Sequence, residues 1–553
     1  MYTTDKDRSL IFLDIETNTS HSVIWCCVTK KDNETKIWTK PDGLQSYLQD
    51  QSIVMHNGIG FDAYHLNRLW NTKIRLNQCI DTLVLSRLLN PNREGGHSLD
   101  AFGKRLGLQK IEFKDYDAGL SEEMIEYCIR DVDLLERVYH ELQREKSFYG
   151  FGERAIEIEH EVAAIICKQE RRGFKLDLPR SMALVAELSD RMGEIESELQ
   201  RVFQPITTER VSEKTGKRLK DHVEVFNPGS RQQIAKRLQA LGWKPEKMTE
   251  KGSVIVDENT LSGVDIPEAK LVAEYLMLQK RHSQVKSWLD AVEEDGRVRG
   301  KVITNGAVTG RMTHHSPNMA QIPSSSSPYG HECRACWTVD DGYKLVGADA
   351  SGLELRMLAH YMRDDDYVRE VCEGDIHTKN QIAAGLQERA QAKTFIYALL
   401  YGAGPAKIGA IVSGGAKEGQ RLIDSFLDNT PSLKTLRSKI ERLAEKGTLP
   451  GLDERQLHIR STHAALNTLL QSAGAIVMKQ ALIILNKKLQ KVKLNAHFVA
   501  NVHDEWQMEV AQEDAERAGK MAVQAITEAG KVLGLRCPLT GEYKVGNNWA
   551  ETH

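Results

Sequence analysis

Four carboxylates in the first quarter of the chain have the type and spacing that divalent cations require. Asp14 and Glu16 form an Asp-x-Glu pair at the end of an apolar run, and Asp62 follows a second apolar run. Asp131 comes four residues after Tyr127, so both side chains share one face of a helix. Carboxylates gathered in one place repel each other unless hard cations such as Mg²⁺ or Mn²⁺ offset their charge. The pattern predicts two metal ions about 3.5–4 Å apart that promote phosphodiester hydrolysis, with Tyr127 orienting the attacking water.

A second group of acidic residues lies far along the chain. Asp349 ends the apolar run 345–348 and precedes small residues that begin a helix. Taken alone, Asp349 is better explained as the N-cap of that helix. Asp504 and Glu505 lie between two apolar, strand-like segments. Two adjacent carboxylates there are unfavourable without a cation, because two unit charges about 4 Å apart repel by about 1 kcal/mol in water. We therefore expect Asp349 and Asp504 to share two metal ions.

A stripe of two cations and a ring is formed by Arg389, Lys393 and Tyr397, which follow one another at four-residue intervals. No acidic residue within the stripe pairs with the cations. The stripe is either a solvated helix surface or a clamp for a triphosphate, with Tyr397 meeting a base or sugar. The residues leave both interpretations open. Gly402 and Gly404 are expected to end the helix.

Length and composition fit a folded, multidomain protein. The chain has 553 residues, enough for three or four domains, and its 41% hydrophobic and 27% charged residues argue against disorder. The net charge of -3 gives no sign of a polyanion binder, although basic segments occur at 214–220, 280–301 and 487–493. Each segment is either a solvated surface or a contact to phosphate. The acidic run 364–366 is expected to be a solvated turn and not a metal site.

The cysteines and the apolar windows predict a cytoplasmic protein. Nine scattered cysteines, an odd number, indicate free thiols in a reducing compartment. Cys333 and Cys336 form a CxxC pair with no second pair, so zinc binding or redox use is not expected. No apolar window is long enough to span a membrane, and the segment 1–7 is polar, unlike a signal sequence.

Alternating strands and helices are expected in the first 145 residues. Apolar runs at 10–17 and 53–58 predict buried strands, and helices are expected near 83–89 and across 122–142. These elements make an α/β unit that carries the first four carboxylates.

From 150 to 300 the chain is expected to be mostly helical. A two-helix seam, with 155–167 as the partner, is predicted by apolar residues three and four apart at 185, 188, 192, 195, 199 and 202. The polar and basic residues 207–221 predict a loop, after which Ser230 should cap a helix that stops at Gly242. A projecting helical pair with a basic tip suits contact with duplex DNA, and a spacer bundle is the alternative.

Together these motifs resemble two known groups of enzymes. The four carboxylates and Tyr127 resemble the DEDD-type 3'-5' exonucleases in their tyrosine variant. The later motifs resemble the family A DNA polymerases, the bacterial polymerase I class, in family order: motif A at 349–354, motif B at 389–402, motif C at 502–505, and primer-template segments at 309–311 and 321–323. The likeness covers nearly the whole chain. It is closest to replicative polymerases of short-tailed phages of the T-seven type, through 463–471 and 548–550.

The resemblance implies an α/β and α+β multidomain fold. An RNase H-like 3'-5' exonuclease domain would precede a right-hand polymerase domain. The implied parts are an exonuclease domain at 1–150, a thumb at 151–300, a first part of the palm at 301–370, fingers at 371–490 and a second part of the palm at 491–553.

The resemblance also implies a role for each matching residue. Asp349 and Asp504 would hold metal, assisted by the Ala350 carbonyl, and Glu505 would lie beside the primer end. Glu354 and Tyr397 would exclude a 2'-hydroxyl, and a tyrosine rather than phenylalanine at 397 goes with acceptance of dideoxynucleotides. The triphosphate would be held by His377, Arg389 and Lys393. Primer and template would be contacted by Arg311, Gln321, Tyr401, Asn467, Gln471 and His503, with Tyr401 stacking near the template base.

The implied ligands and partners are those of a replicative polymerase. They are primer-template DNA, dNTPs, two Mg²⁺ ions per active site with Mn²⁺ as a substitute, a helicase-primase and a single-strand binding protein, all in the host cytoplasm if a phage encodes the chain. One departure concerns thioredoxin, which the closest phage relatives capture through a long thumb insertion. Here the corresponding segment 210–222 is short and basic, so no thioredoxin dependence is expected.

Two functions other than DNA synthesis are disfavoured by particular residues. A nuclease with a non-catalytic DNA-binding half is disfavoured by the joint presence of Asp349, Lys393 and Asp504. An RNA-synthesising relative is disfavoured by Glu354, a bulky acid where a ribose hydroxyl would lie.

Overall fold

The computed structural model describes residues 9–211, 214, 216–245 and 247–553, so the expectation for segment 1–7 lies outside the described residues. The N-terminal unit is a sheet flanked by helices. Its elements are β1 (Leu10–Thr17), β2 (Ile24–Lys31), β3 (Glu34–Trp38), α1 (Leu44–Leu48), β4 (Ser52–Met55), α2 (Asp62–Leu69), β5 (Cys79–Asp81), α3 (Thr82–Leu89), α4 (Leu99–Leu106) and α5 (Glu122–Tyr149). The strands lie in the order β3-β2-β1-β4-β5, with β1 antiparallel to β2 and parallel to β4.

The central strand β1 is buried on both faces, which explains the apolar run 10–13 with which it begins. Ile11 and Leu13 pack on one face, and Phe12 packs on the other with α5. Helix α5 begins at its N-cap Ser121 and continues to Tyr149, beyond the predicted end at residue 142. The polar last turns of α5 lack the apolar spacing from which the helix was predicted.

A helical region follows the N-terminal unit. Its elements are α6 (Glu153–Arg172), β6 (Phe174–Leu176), α7 (Leu178–Val202), β7 (Ile206–Val211), β8 (Arg218–Glu224), α8 (Arg231–Ala240), α9 (Glu258–Ser262) and α10 (Pro267–Ala291). Helix α7 packs along α10, so the prediction that residues 155–167 cover it is wrong. An apolar stripe shows which face of a helix is buried but not which element covers that face.

The segment 207–221 was predicted to be a loop, and this prediction is wrong for its described part. Strands β7 and β8 pair as an antiparallel hairpin, with Ile206 opposite Glu224. Most of its residues are exposed on both faces, so the apolar alternation that indicates a strand is missing. The helix α8 after Ser230 is confirmed, and Gly242 (φ 100°) follows its end.

The C-terminal half begins with short strands and the motif at Asp349, then forms a helical lobe and a final sheet. Its first elements are β9 (Arg297–Val298), β10 (Lys301–Ile303), β11 (Thr313–His315), α11 (Gly330–Ala335), β12 (Trp337–Thr338), β13 (Tyr343–Ala350) and α12 (Leu353–Met362). The helical lobe contains α13 (Asp365–Glu373), α14 (Ile376–Ala384), α15 (Arg389–Leu400), α16 (Pro405–Ala410), α17 (Ala416–Asp428) and α18 (Pro431–Ala444). The last elements are β14 (Thr448–Pro450), β15 (Gln456–His458), α19 (Ala465–Lys491), β16 (Ala496–Val502), β17 (Glu505–Ala511), α20 (Ala515–Val532) and β18 (Gly541–Gly546).

The acidic run 364–366 does not form a free turn, contrary to the prediction. Asp364 is the N-cap of α13, and its Oδ1 accepts a hydrogen bond from the Tyr367 amide at 3.0 Å. The other two aspartates lie in the first turn, where the helix dipole favours negative charge.

An antiparallel sheet in the order β16-β17-β13-β18 carries the second acidic group. Asp349 lies opposite Glu505 on β17 and opposite Glu542 on β18. Gly541 allows β18 to approach closely, because a Cβ there would lie 2.6 Å from the Asp349 carbonyl oxygen.

Helix α19 is the central core helix of the C-terminal half. The segment Thr462–Lys491 has a mean hydropathy of 1.5 over its most apolar window, enough by length and composition to cross a membrane, but 83% of that window is buried inside the protein. The expectation that no window is apolar for long enough is therefore wrong. Helix α19 packs against α20 and α6. Glu159 on α6 accepts hydrogen bonds there from Lys479 (2.6 Å) and Arg455 (2.7 Å), all three nearly inaccessible to solvent.

Candidate active sites

A cleft of about 570 Å³ lies at the end of β13. Strand β13, the turn between β16 and β17, and helices α12 and α15 contribute to its lining. Eight of the residues to which the sequence gave roles meet in this cleft: Arg311, Asp349, Ala350, Glu354, Tyr397, Tyr401, His503 and Asp504.

Asp349 is held by the strand and not by a helix cap. The N-cap of α12 is Gly352 in the left-handed conformation (φ 59°), and no side chain caps this helix. The capping interpretation of Asp349 is therefore wrong. Partial burial, followed by the charges of Asp504 and Glu505, raises the pKa of Asp349 to about 6. Carboxylate oxygens that share a cleft form a donor set that suits a divalent cation.

Asp504 lies in the tight turn of a hairpin, as the sequence predicted. Strands β16 and β17 pair up to Val502 and Glu505, and His503 takes a positive φ of 57°. The Ala350 amide donates to the Asp504 carbonyl oxygen at 3.2 Å. This bond fixes the two acidic motifs, which lie 155 positions apart in the sequence, side by side.

Glu505 points away from the cleft into a buried polar pocket. Its Oε1 accepts hydrogen bonds from Gln507 Nε2 (2.5 Å) and Trp549 Nε1 (2.6 Å), and its Oε2 lies 2.8 Å from His553 Nδ1. Burial by itself would raise the pKa of Glu505, but His553 and these donors lower it. The sequence assigned no role to His553 or Trp549, although 548–550 was noted as a point of likeness.

Glu354 is paired with Tyr401. The Tyr401 hydroxyl donates to Glu354 Oε1 at 2.5 Å, and Arg311 Nη2 lies 3.6 Å from the same oxygen. The Tyr397 ring stacks on Tyr401 at a centroid distance of 6.4 Å. The described contacts therefore join Glu354 to Tyr401 directly and to Tyr397 through the ring stack.

The stripe lies on α15, where Tyr397 lines this cleft and the two cations Arg389 and Lys393 lie outside its lining. Arg389 is paired with an acid that the stripe itself does not contain: Asp375, the N-cap of α14, accepts from Arg389 Nε at 2.7 Å and from Nη2 at 2.9 Å. This bidentate pair lowers the pKa of Asp375. His377 follows two residues later on α14, so the stripe and His377 share one region of the helical lobe. The lining also excludes Lys393, Gln321, Asn467 and Gln471.

The four N-terminal carboxylates come together beside the central strand β1, which carries Asp14 and Glu16. Burial raises the pKa of all four, and the charge of at least one other carboxylate of the group adds to the shift for Asp14, Glu16 and Asp62. The pKa of Asp14 rises to about 7 and that of Glu16 to about 10. Ligand atoms of Asp14, Glu16 and Cys128 lie within 4.8 Å of one another. Asp131 Oδ1 is buried without a hydrogen-bond partner among the described residues. This buried oxygen-rich set fits hard divalent cations.

Tyr127 and Asp131 share one face of α5, as their spacing predicted, and both side chains are buried. A residue that the sequence did not identify completes the group. Lys110 Nζ lies 2.6 Å from Asp131 Oδ2 and 4.9 Å from the centroid of the Tyr127 ring. Lys110 belongs to a segment without regular structure, so no periodic pattern could have pointed to it.

Models of known protein families match both the N-terminal and the C-terminal part of the chain. The family model described as DNA polymerase family A matches residues 196–551. The chain belongs to the family A DNA polymerases. A second model, described as 3'-5' exonuclease, matches residues 1–146. This family A polymerase is a DNA-directed DNA polymerase with a 3'-5' exonuclease domain.

Phage relatives are similar over most of their length. The chain is 37% identical over 652 aligned positions to the DNA-directed DNA polymerases of Enterobacteria phage T3 and Escherichia phage T7, covering 91% of this chain and 92% of each relative. The aligned length exceeds the 553 residues of the chain, so these relatives contain segments that this polymerase lacks. DNA polymerase I of Aquifex aeolicus is 27% identical, covering 92% of this chain and 89% of that protein.

A solved structure shares the fold of nearly the whole chain. The POL domain of Pol1 from M. smegmatis, in complex with DNA primer-template and dNTP, has a TM-score of 0.82 at 18% identity. The match covers 99% of this chain and 96% of that one, so the exonuclease and polymerase parts are both included.

Proposed function

We propose that the polymerase reaction takes place in the cleft between Asp349 and Asp504. The observation that carries this proposal is the antiparallel sheet, which brings Asp349, Ala350 and Asp504 to one cleft. Two Mg²⁺ ions bound there would activate the primer 3'-hydroxyl and offset charge on the α-phosphate, and Mn²⁺ has ligand preferences similar enough to replace them. Glu505 would help to position the primer end. Its carboxylate is held in place by Trp549 and His553 in the buried pocket.

The proposed nucleotide site extends from this cleft to α14 and α15. Arg389, Lys393 and His377 would hold the triphosphate, since guanidinium and ammonium groups suit phosphate oxygens. Arg389 is already engaged with Asp375, so triphosphate binding would compete with this exposed ion pair. An exposed pair contributes little stability, and its opening is therefore easily offset by phosphate contacts.

The remaining cleft residues suit a primer-template and a deoxyribose. Arg311, Gln321, Asn467, Gln471 and His503 would contact primer or template, and Tyr401 would stack near the template base. Glu354, held by the Tyr401 hydroxyl and supported by the Tyr397 ring, would occupy the space of a ribose 2'-hydroxyl.

Sugar selection gives a direct test of this cleft. Glu354→Ala removes the side chain proposed to fill the 2'-hydroxyl space, so discrimination against rNTPs should fall by about 10- to 100-fold, or ~1–3 kcal/mol. The measurement is the ratio of single-nucleotide incorporation rates with dNTP and rNTP. Glu542→Ala, on the neighbouring strand of the same cleft, is the matched control. Unchanged discrimination in Glu354→Ala would remove Glu354 from the proposed sugar site.

We further propose that Asp14, Glu16, Asp62 and Asp131 hold two Mg²⁺ ions for 3'-5' hydrolysis. When bound, these ions would supply a metal-activated water and stabilise the leaving oxygen. Tyr127 would orient that water, because it lies one turn before Asp131 on the same buried face of α5. Lys110 would offset part of the negative charge before metal binds.

Lys110 gives a prediction about metal affinity. Lys110→Met removes a cation that competes with the metal for Asp131. Because a hydrogen bond to a charged group contributes about 1.5–3 kcal/mol, the Mn²⁺ affinity of the exonuclease site should rise by about tenfold. Mn²⁺ binding is followed by electron paramagnetic resonance. The control is Lys30→Met, which removes a lysine paired with Asp133 and Glu136 of the same helix α5. A lower Mn²⁺ affinity in Lys110→Met would contradict the competing role.

The proposed domains are an exonuclease at 1–150, a thumb at 151–300, palm segments at 301–370 and 491–553, and fingers at 371–490. The proposed biological role is replication of phage or prophage DNA in the host cytoplasm, with a helicase-primase and a single-strand binding protein. These partners are supported by the similarity to the phage T3 and T7 polymerases.

Independence from thioredoxin is proposed from the short hairpin β7–β8. The strands Ile206–Val211 and Arg218–Glu224 form this hairpin in the segment that the resemblance aligns with the long insertion. Adding reduced thioredoxin in a titration should leave product length on a long primed template unchanged. A sharp increase in product length with thioredoxin would show that the hairpin region captures it.

A further inference from the structure

Two cysteines outside both active sites lie in contact. Cys372, near the end of α13, and Cys537, in the loop before β18, have their Sγ atoms 3.6 Å apart, although 165 positions separate them in the sequence. Both are free thiols; Cys537 is buried and Cys372 is partly exposed. Since a disulfide has a sulfur–sulfur distance of about 2.05 Å, a shift of roughly 1.5 Å would join them.

Arg356 connects this pair to the polymerase cleft. Its Nη1 lies 3.5 Å from Cys372 Sγ and also donates to the Pro538 carbonyl, next to Cys537. Its Nε donates to the Ser351 carbonyl at 2.9 Å. Cys372 is partly exposed whereas Cys537 is buried, so Cys372 is the thiol that an oxidant from solution reaches first. Burial, followed by the contact with Cys372, raises the pKa of Cys537 to about 12.

We propose that Cys372 and Cys537 form a reversible disulfide under oxidising conditions and that this disulfide slows DNA synthesis. The Cys372 thiolate attacks one sulfur of a low-molecular-weight disulfide, such as oxidised glutathione, and one glutathione thiolate leaves. Cys537 then loses its proton and attacks the Cys372 sulfur of this mixed disulfide, so the second glutathione thiolate leaves. Two protein thiols are oxidised to one disulfide, oxidised glutathione is reduced to two glutathione thiols, and the protons end on these products.

The disulfide would act through the turn that follows Asp349 and Ala350. The Ser351 amide donates to the Thr540 carbonyl at 3.0 Å, so the segment 537–541 is attached directly to this turn. The next residue, Gly541, packs against the Asp349 carbonyl. Drawing Cys537 towards α13 moves this segment, and a misplacement of about 1 Å near reacting groups lowers a rate by up to ~100-fold. The exonuclease carboxylates lie on β1, α2 and α5, none of which belongs to the sheet that contains β13, and they should not be affected.

The test treats the full-length protein with oxidised glutathione and compares primer extension with exonuclease activity on a single-stranded oligonucleotide. Extension by the wild type should fall about tenfold, within the range of such misplacements. Exonuclease activity should persist, and dithiothreitol should restore extension. Non-reducing peptide mapping should show one linked pair of peptides containing Cys372 and Cys537.

Three variants distinguish the disulfide from other modifications. Cys372→Ser and Cys537→Ala should each keep their extension activity in oxidised glutathione, whereas Cys167→Ser, which removes another partly exposed thiol, should respond as the wild type does. Where one variant of the pair does not fold, the other carries the test. The proposal is overturned by the absence of the linked peptides, by equal loss of exonuclease activity, or by inhibition of Cys537→Ala, which would mean that a glutathione adduct alone is sufficient.

Discussion

Asp349→Ala should lower primer extension by about 1,000-fold or more, the equivalent of ~4 kcal/mol in the activation barrier. The carboxylate lies at the end of β13, and an alanine side chain there would offer no oxygen to a metal ion. The 3'-5' exonuclease should remain active, since its carboxylates lie on β1, α2 and α5, none of which belongs to the sheet that contains β13. Extension of a labelled primer and degradation of a single-stranded oligonucleotide, measured on one preparation, give both activities.

Asp341→Ala is the matched control for this experiment, because it removes an exposed acid just before β13. Its extension rate should equal that of the wild type. If Asp349→Ala also extended primers at the wild-type rate, Asp349 would not be a metal ligand, and the cleft at β13 would lose its proposed role.

The combined change Asp14→Asn and Glu16→Gln should abolish exonuclease activity and stabilise the metal-free protein at pH 8. A carboxyl group whose pKa is higher in the folded state binds its proton more tightly when folded, so the free energy of unfolding falls as pH rises. For Asp14 this loss extends from the ordinary pKa of 3.8 to about 7, and for Glu16 from 4.5 to about 10. Neutral amides do not titrate, so the double variant avoids this loss.

Thermal unfolding in a chelator at pH 5 and pH 8 measures this effect. The wild type should lose stability between these two pH values more steeply than the double variant, and Mg²⁺ should recover stability at pH 8 in the wild type only. Asp100→Asn, which removes one partner of an exposed ion pair with Lys104, is the control. Continued degradation of primer 3' ends by the double variant would contradict the exonuclease assignment.

Local sequence patterns were sufficient for the elements that carry the chemistry. The apolar run before Asp349, the hairpin around Asp504 and the four-residue spacing of Tyr127 and Asp131 each depend on neighbouring residues, and the structure contains all three elements. Patterns failed where burial did not follow a simple period. The hairpin β7–β8 is exposed on both faces, and the apolar window of α19 belongs to a core helix.

Composition and spacing in the sequence determined the types of residue available: two groups of carboxylates, a cationic stripe on one helix, and the turns between them. Only the tertiary structure decided which of these groups meet. The packing of separate elements brings four pairs of side chains into contact: Lys110 with Asp131, Asp375 with Arg389, His553 with Glu505, and Tyr401 with Glu354. Each of these contacts joins residues at least 14 positions apart. Side-chain periodicity extends only along one helix or strand, whereas such contacts depend on how separate elements pack, so sequence spacing alone could not reveal them.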